Sequence, residues 1–319
     1  MKIDLATRSR INNFISTHEN TLRRIVGGLW TFFGVSVLAD SFGFSPLLSS
    51  PVIILILTAA GVFIPASGIA LMLVLYSVLQ ILSLSQSAGV ILVLMYLFFY
   101  AFCFAYKAKH MNLLPGMAVL YRTSMPSLAP MLAGLFGDYH EVTSVISGST
   151  IAYFMKSIHD AVPTHSESGN ATSGLDILSA MIGNSGFYFF MAAMVTMFLV
   201  VTLVGNIRSP HSWIFAVMLG ILSEALIMSG GEIFFGQGPS VAALFFGNVV
   251  TAAAGFAAAF LFQNLDYTRV ERVQFEDDEY YYYVTAVPKI RISEEDKEIK
   301  RITPDKTEKT GTEEKEVKA

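Results

Sequence analysis

The chain has 319 residues, of which 53% are hydrophobic and only 14% charged, with a mean hydropathy of +0.55 and a formal net charge of −4. A soluble domain carries about 25% charged residues, so water is excluded as the solvent for most of this surface. The charge is unevenly placed: residues 1–265 hold ten acids and ten bases, and the last 54 residues hold fifteen acids and eleven bases. An apolar body therefore joins a charged tail near Asp266, and an acidic balance confined to that tail excludes nucleic acid as a partner. The single cysteine, Cys103, excludes an internal disulfide and a thiolate metal cage.

In chain order, residues 1–24 are polar and basic and read as a cytoplasmic juxtamembrane segment. The apolar run after them has no A-x-A-like exit, so it is expected to remain as a first span and not to leave as a signal peptide. A bilayer core of about 30 Å needs roughly 20 mostly apolar residues per helix. Runs of this kind cover 25–39, 51–64, 67–82, 89–106, 175–204, 212–229 and 240–262, the shorter ones completed by polar edges. Breaks fall at Pro46, Pro51 and Pro65, in the run SLSQSAG, at Pro115 and Pro210, and between Gly236 and Pro239.

Lys and Arg near span ends stay in the cytoplasm. With the N-terminus inside and one net crossing between Arg122 and His159, Lys2, Arg8, Arg10, Arg23, Arg24, Lys107, Lys109, Arg122, Arg208, Arg269 and Arg272 all face the cytoplasm. Lys156 alone does not. The fold expected over residues 25–265 is thus all-α: a polytopic transmembrane helix bundle of about eight crossings in the plasma membrane. Both termini are cytoplasmic and the lipid bilayer is its partner.

Residues 113–160, LLPGMAVLYRTSMPSLAPMLAGLFGDYHEVTSVISGSTIAYFMKSIHD, hold too much apolar sequence for one straight helix and too little for three. Pro115, Pro126, Pro130, Gly134 and Gly137 punctuate them. One crossing plus a re-entrant or broken half-helix is expected, with either half as the crossing one. Irregular backbone at membrane depth survives only inside protein or beside a water-filled cavity, which marks Pro126, Pro130 and Gly134 as a candidate functional region. The following HDAVPTHSESGNATSG reads as a polar extracytoplasmic loop. His159, Asp160, His165 and Glu167 have the composition of a metal site, but no helix or strand fixes their geometry, so no metal is assigned.

Glu224, in GILSEALIMSGG, is out of place among apolar neighbours. A carboxylate at the centre of a lone membrane helix costs about 2.5–3.5 kcal/mol. Ala216, Gly220 and Glu224 recur every fourth residue, a stripe that turns the acid toward other helices. It is either a proton or cation site or a protonated, hydrogen-bonded packing residue. In IGNSGFYFF, Gly183 and Gly186 bracket Asn184 and Ser185. A helix broken here would offer backbone groups to an ion or substrate, and a tilted helix with a Gly-lined notch explains the run equally well. Glu224, Asn184 and Ser185 form the candidate substrate or ion site. Gly247, Thr251, Gly255 and Ala259 repeat as a helix-packing stripe. No Walker loop, HExxH or GxSxG is present, so no catalytic residue, cofactor or enzymatic activity is assigned.

In the tail, residues 266–292 run from Arg269 and Arg272, placed for anionic headgroups, through the acidic FEDDE to YYYYVTAV, rich in β-formers and ended by Pro288. Residues 293–319 are Glu, Lys, Asp and Thr with few bulky apolar side chains, a composition of disorder. A strand carrying Tyr280, Tyr281, Tyr282 and Tyr283 would add to the sheet edge of a cytosolic partner or pack on the protein's own loops. The run NLDYTRVERVQFEDDEYYYYVTAVPKI resembles the C-terminal signature of a family of polytopic membrane proteins of anaerobic Gram-positive bacteria. SMPSLAPMLAGLFG resembles, more loosely, that family's proline-punctuated mid-chain segment. The signature covers under a tenth of the chain, and the resemblance implies location and architecture, not mechanism. The function expected is a transporter or channel-like protein for a small solute. The alternative is a non-transporting scaffold or assembly factor that recruits a cytosolic protein through the tail; an intramembrane enzyme ranks behind both. A homo-oligomer is left open.

Overall fold

The computed structural model describes residues 5–43, 45–168, 173–207, 212–236, 240–262, 271–276 and 281–286. The body is helical: α1 Leu5–Thr17, α2 Glu19–Phe42, α3 Pro51–Phe63, α4 Ala66–Leu84, α5 Gln86–Ala105, α6 Leu113–Arg122 and α7 Leu128–Phe136. A short 3-10 turn at Tyr139–Glu141 leads to α8 Val142–Ser168, α9 Gly174–Gly183, α10 Ser185–Gly205, α11 Ser212–Phe235 and α12 Val241–Phe262. Six of them are long and apolar enough to cross a membrane: α2, α4, α5, α10, α11 and the stretch Ala242–Leu261 of α12; α3 and α9 are apolar but shorter. Residues 7–263 cluster as one unit, and the chain ends as a second.

The outer surface of the bundle is apolar. Leu75 is 54% exposed, Leu97 and Phe98 64%, Leu226 65% and Phe245 72%. So many large apolar side chains on one surface are a poor fit to water and a good one to lipid, and the six helices fit an integral membrane protein. Inside, Leu38, Phe42, Leu73, Leu92, Leu114, Phe154, Phe190 and Phe198 form the core. Helices approach closely through small residues, as expected where lipid offers no hydrophobic drive to association. A Cβ at Gly61 of α3 would overlap Thr31 of α2, and one at Gly220 of α11 would overlap Val201 of α10.

Local sequence explains most boundaries. Pro51 opens α3 behind the cap residue Ser50, Pro65 separates α3 from α4, and the Ser85 hydroxyl accepts the Ala88 N–H to start α5. The GNSG run resolves into a true break. Asn184 takes an extended conformation between α9 and α10, and its Oδ1 accepts the Gly186 N–H at 2.8 Å.

Residues 113–136 form a helical hairpin. The ten residues of α6 and nine of α7 span about 15 and 13 Å, half a membrane each. Pro115 and Pro130 stand third in their helices, where no intrahelical N–H is needed. The apex turns at Ser124, whose φ of 58° is left-handed; its N–H reaches Tyr121 O at 3.2 Å, and that of Met125 reaches Leu120 O at 3.0 Å. Both feet lie at the same end of the bundle. The Lys109 ammonium donates to the Asp138 carboxylate. The fully buried Glu141 accepts the backbone N–H of Lys109 at 2.7 Å and of His110 at 3.1 Å, with the His110 ring Nδ1 at 3.0 Å. Gly134 presses α7 against Val201 and the Phe198 carbonyl of α10.

Two expectations are corrected. Residues 159–168 continue α8 as helix, and are not loop; main-chain bonding within the helix outweighs their polar composition, and Lys156 and Asp160 pair one turn apart at 3.9 Å. Arg122 does not share an end with Arg23 and Arg24. Its Nε donates at 2.9 Å to Ser41 Oγ, which stands 17 residues beyond Arg24 along α2, or about 25 Å. Because α6 is one arm of a hairpin, its last residue lies at the tip and not at a return to the starting side.

In the second unit, β1 Glu271–Glu276 pairs antiparallel with β2 Tyr281–Ala286. The register sets Tyr281 opposite Glu276, Tyr282 opposite Phe275 and Tyr283 opposite Gln274. Tyr280, Arg269 and residues 293–319 lie outside the described residues.

Candidate functional site

The hairpin apex meets α8, α10, α11 and α12 around a cavity of about 370 Å3. Its floor carries Ser127, Phe190 and Glu224, which are 3%, 1% and 1% exposed. Asp160 and Gly236, both exposed, mark the mouth, and Arg122, Lys156, Tyr121 and Tyr153 line the wall. The Tyr121 and Phe190 rings meet edge to face at 4.9 Å and stiffen that wall.

Small residues assemble this site. Ala216, Gly220 and Glu224 are all buried on one face of α11, so the fourfold repeat turns the acid inward. Gly247 of α12 takes the Ser124 carbonyl where a side chain would overlap it, which seats the apex beside Asn248. Further along the same stripe, Gly255 packs on Met131 and Val217, and Thr251 and Ala259 are buried.

The polar groups at the floor are incompletely matched. Asn248 and Ser127 neighbour the Glu224 carboxyl, yet Glu224 Oε2 and Asn248 Oδ1 are buried without a hydrogen-bond partner, as is Thr251 Oγ1 one turn along α12. An unmatched polar group away from water costs several kcal/mol at membrane depth. Glu224 Oε2 and Asn248 Oδ1 are acceptors that call for a donor, and the Thr251 hydroxyl can either donate or accept.

Of the residues singled out in the sequence, Glu224 and Pro126 line the cavity. Pro130 and Gly134 lie in α7 behind it, serving the hairpin's packing. Asn184 and Ser185 sit at the helix break, but it is the next residue, Gly186, that reaches the cavity, and the side-chain oxygen of Asn184 is occupied in capping α10. His159 and Asp160 are on α8, their side chains 3.5 Å apart, and among the described residues no group of three or more His, Cys, Asp or Glu is placed to hold a metal. Glu141, Arg122 and Asn248 are functional residues that the sequence alone does not single out. A buried acid in a polar-looking turn carried a weak signal, and the other two become site residues only through the hairpin. No protein-family model, curated protein or solved structure matches the chain.

Proposed function

We propose that the chain is a plasma-membrane protein that binds a small polar solute in the cavity beneath the hairpin apex and carries it across the bilayer. The observation that carries this reading is Glu224: a carboxyl 1% exposed, with an unpartnered oxygen, at the floor of a cavity whose mouth reaches the surface. Ionisable groups at such depth are costly and belong to pathways or binding sites. The expected layout is eight crossings, counting α3, α8 and the broken α9–α10 pair as one span each, with the α6–α7 hairpin re-entrant from the cytoplasm. Arg23, Arg24, Lys107 and Lys109 support a cytoplasmic N-terminus, and the tail's family resemblance supports a bacterial setting. The cavity then opens away from the cytoplasm. Proteoliposome uptake of a panel of radiolabelled small solutes tests the reading: Glu224→Gln should abolish uptake of whichever solute the native protein moves. Equal uptake by the variant would count against it.

A scaffold role is favoured by one feature, the β1–β2 hairpin. Two strands alone are marginal in water, and their free edges suit addition to a partner's sheet. Full-length protein in detergent should then retain a cytosolic protein that it loses when Tyr281, Tyr282 and Tyr283 are all changed to Ser. Unchanged retention would remove the tyrosines from that role.

A further inference from the structure

We propose that the cavity selects a zwitterion, a small solute whose ammonium lies at Glu224 and Asn248 and whose carboxylate lies at Arg122. This rests on the solute-binding reading and adds the substrate class. Among the described residues four charged side chains line the cavity: Arg122, Lys156, Asp160 and Glu224. Lys156 and Asp160 answer each other, 3.9 Å apart on α8, and the Lys156 ammonium also lies 4.9 Å from the centre of the Tyr153 ring. The other two are not matched. Arg122 contacts Ser41 Oγ at 2.9 Å and His159 Nε2 at 3.5 Å, neither of them an anion. Among the described residues no carboxylate lies within ion-pair distance of Arg122 and no cationic group within that distance of Glu224.

Each class of solute leaves a different remainder. A simple cation answers Glu224 and leaves Arg122 without an anion; a simple anion does the reverse. An uncharged solute leaves both charges unmatched in a poorly solvated site, where unpaired charge is expensive. Only a molecule with separated opposite charges answers both. The donor inventory agrees. An ammonium has three N–H groups, and among the described residues Glu224 Oε2 and Asn248 Oδ1 are the two cavity-lining acceptors that lack a donor. The Arg122 guanidinium has five donors in a planar fork that fits a carboxylate. The lining charges cancel, so a ligand of zero net charge brings no uncompensated charge into the membrane. A cavity of about 370 Å3 is at the small end of ligand pockets, which run about 300–1,000 Å3, and suits amino-acid-sized molecules.

The test is calorimetric titration of the full-length protein in lipid nanodiscs with the individual standard amino acids, n-butylamine, butyrate and erythritol. At least one amino acid should bind, and butylamine and butyrate should each bind at least about thirtyfold more weakly, the lower end of the loss of one partner of a desolvated charge pair. Glu224→Gln should weaken the amino acid but not butyrate, and Arg122→Gln should weaken it but not butylamine. Arg122→Lys should restore only part of the loss, because it lacks the fork. If butylamine, butyrate or erythritol binds as tightly as the best amino acid, the zwitterion inference is overturned while the solute-binding reading stands. If no probe binds to monodisperse native protein, both are overturned.

Discussion

Gly247 of α12 lies against the backbone carbonyl of Ser124, so close that a β-carbon at 247 would overlap the oxygen. Ser124 holds the left-handed conformation that turns the hairpin, so this one glycine sets how deep the apex sits beside Glu224 and Asn248. Gly247→Val should therefore displace the apex and cost about 1–3 kcal/mol, as overpacking does. Thermal unfolding in detergent should show a lowered midpoint, accompanied by loss of solute binding. Gly230→Ala, at a position with open space around it, is the control and should leave both unchanged.

Glu141 ties the hairpin's feet by accepting two backbone N–H groups and pairing with the His110 ring. Glu141→Ala would deprive those partly buried donors of their carboxylate acceptor, costing about 1.5–3 kcal/mol, the range for hydrogen bonds to a charged group. Limited proteolysis of reconstituted protein should then cut within 106–112 faster than in the native protein. Resistance equal to the native protein's would show that the clasp contributes little.

The Lys109–Asp138 pair makes stability respond to pH at both extremes. The hydrogen bond that Lys109 donates holds the accepting Asp138 carboxyl below its usual range, and the same bond, with the charge of Asp138, raises Lys109 above its own. Asp138 thus adds stability above its unfolded value of about 3.9, lost as pH falls through its lower folded value. Lys109 adds stability below about 10.4, lost as pH rises through its higher folded value. Both groups are solvent-exposed, so the effect is small. The unfolding midpoint should be insensitive to this pair between about pH 5 and 9, and Asp138→Asn should flatten the fall on the acid side. An unaltered acid limb in that variant would contradict the assignment.

Asn184 stands at the helix break as a cap, and Gly186, not Asn184, faces the cavity. Asn184→Ala should accordingly lower stability by about 0.5–2 kcal/mol and leave solute affinity unchanged. Lost affinity in a variant of native-like stability would make Asn184 a ligand-binding residue instead.

What the sequence made legible follows from short-range rules. Apolar runs marked the long helices, the Ala216–Gly220–Glu224 repeat turned the acid inward, and the proline spacing announced an interrupted segment. Tertiary contacts supplied the rest. Nothing local in YRTSMP states that the chain reverses there and not at the far surface, so Arg122 was assigned to the wrong end of the bundle. Glu141 looks like a surface acid until the feet of the hairpin close over it. Asn184 carried a correct signal for a break, but a cap and a ligand share the same residue type, and only the 2.8 Å bond to Gly186 separates them.

Sidedness of the hairpin is the most direct test, because a re-entrant α6–α7 decides where the cavity opens. In a Cys103→Ser background, single cysteines at Arg24, Lys109, Asp138, Asp160 and Gly236 would be treated with a membrane-impermeant maleimide in intact cells and in inverted vesicles. Positions 24, 109 and 138 should react only in inverted vesicles, and 160 and 236 only in cells. Labelling of 109 and 138 from opposite sides would contradict the account.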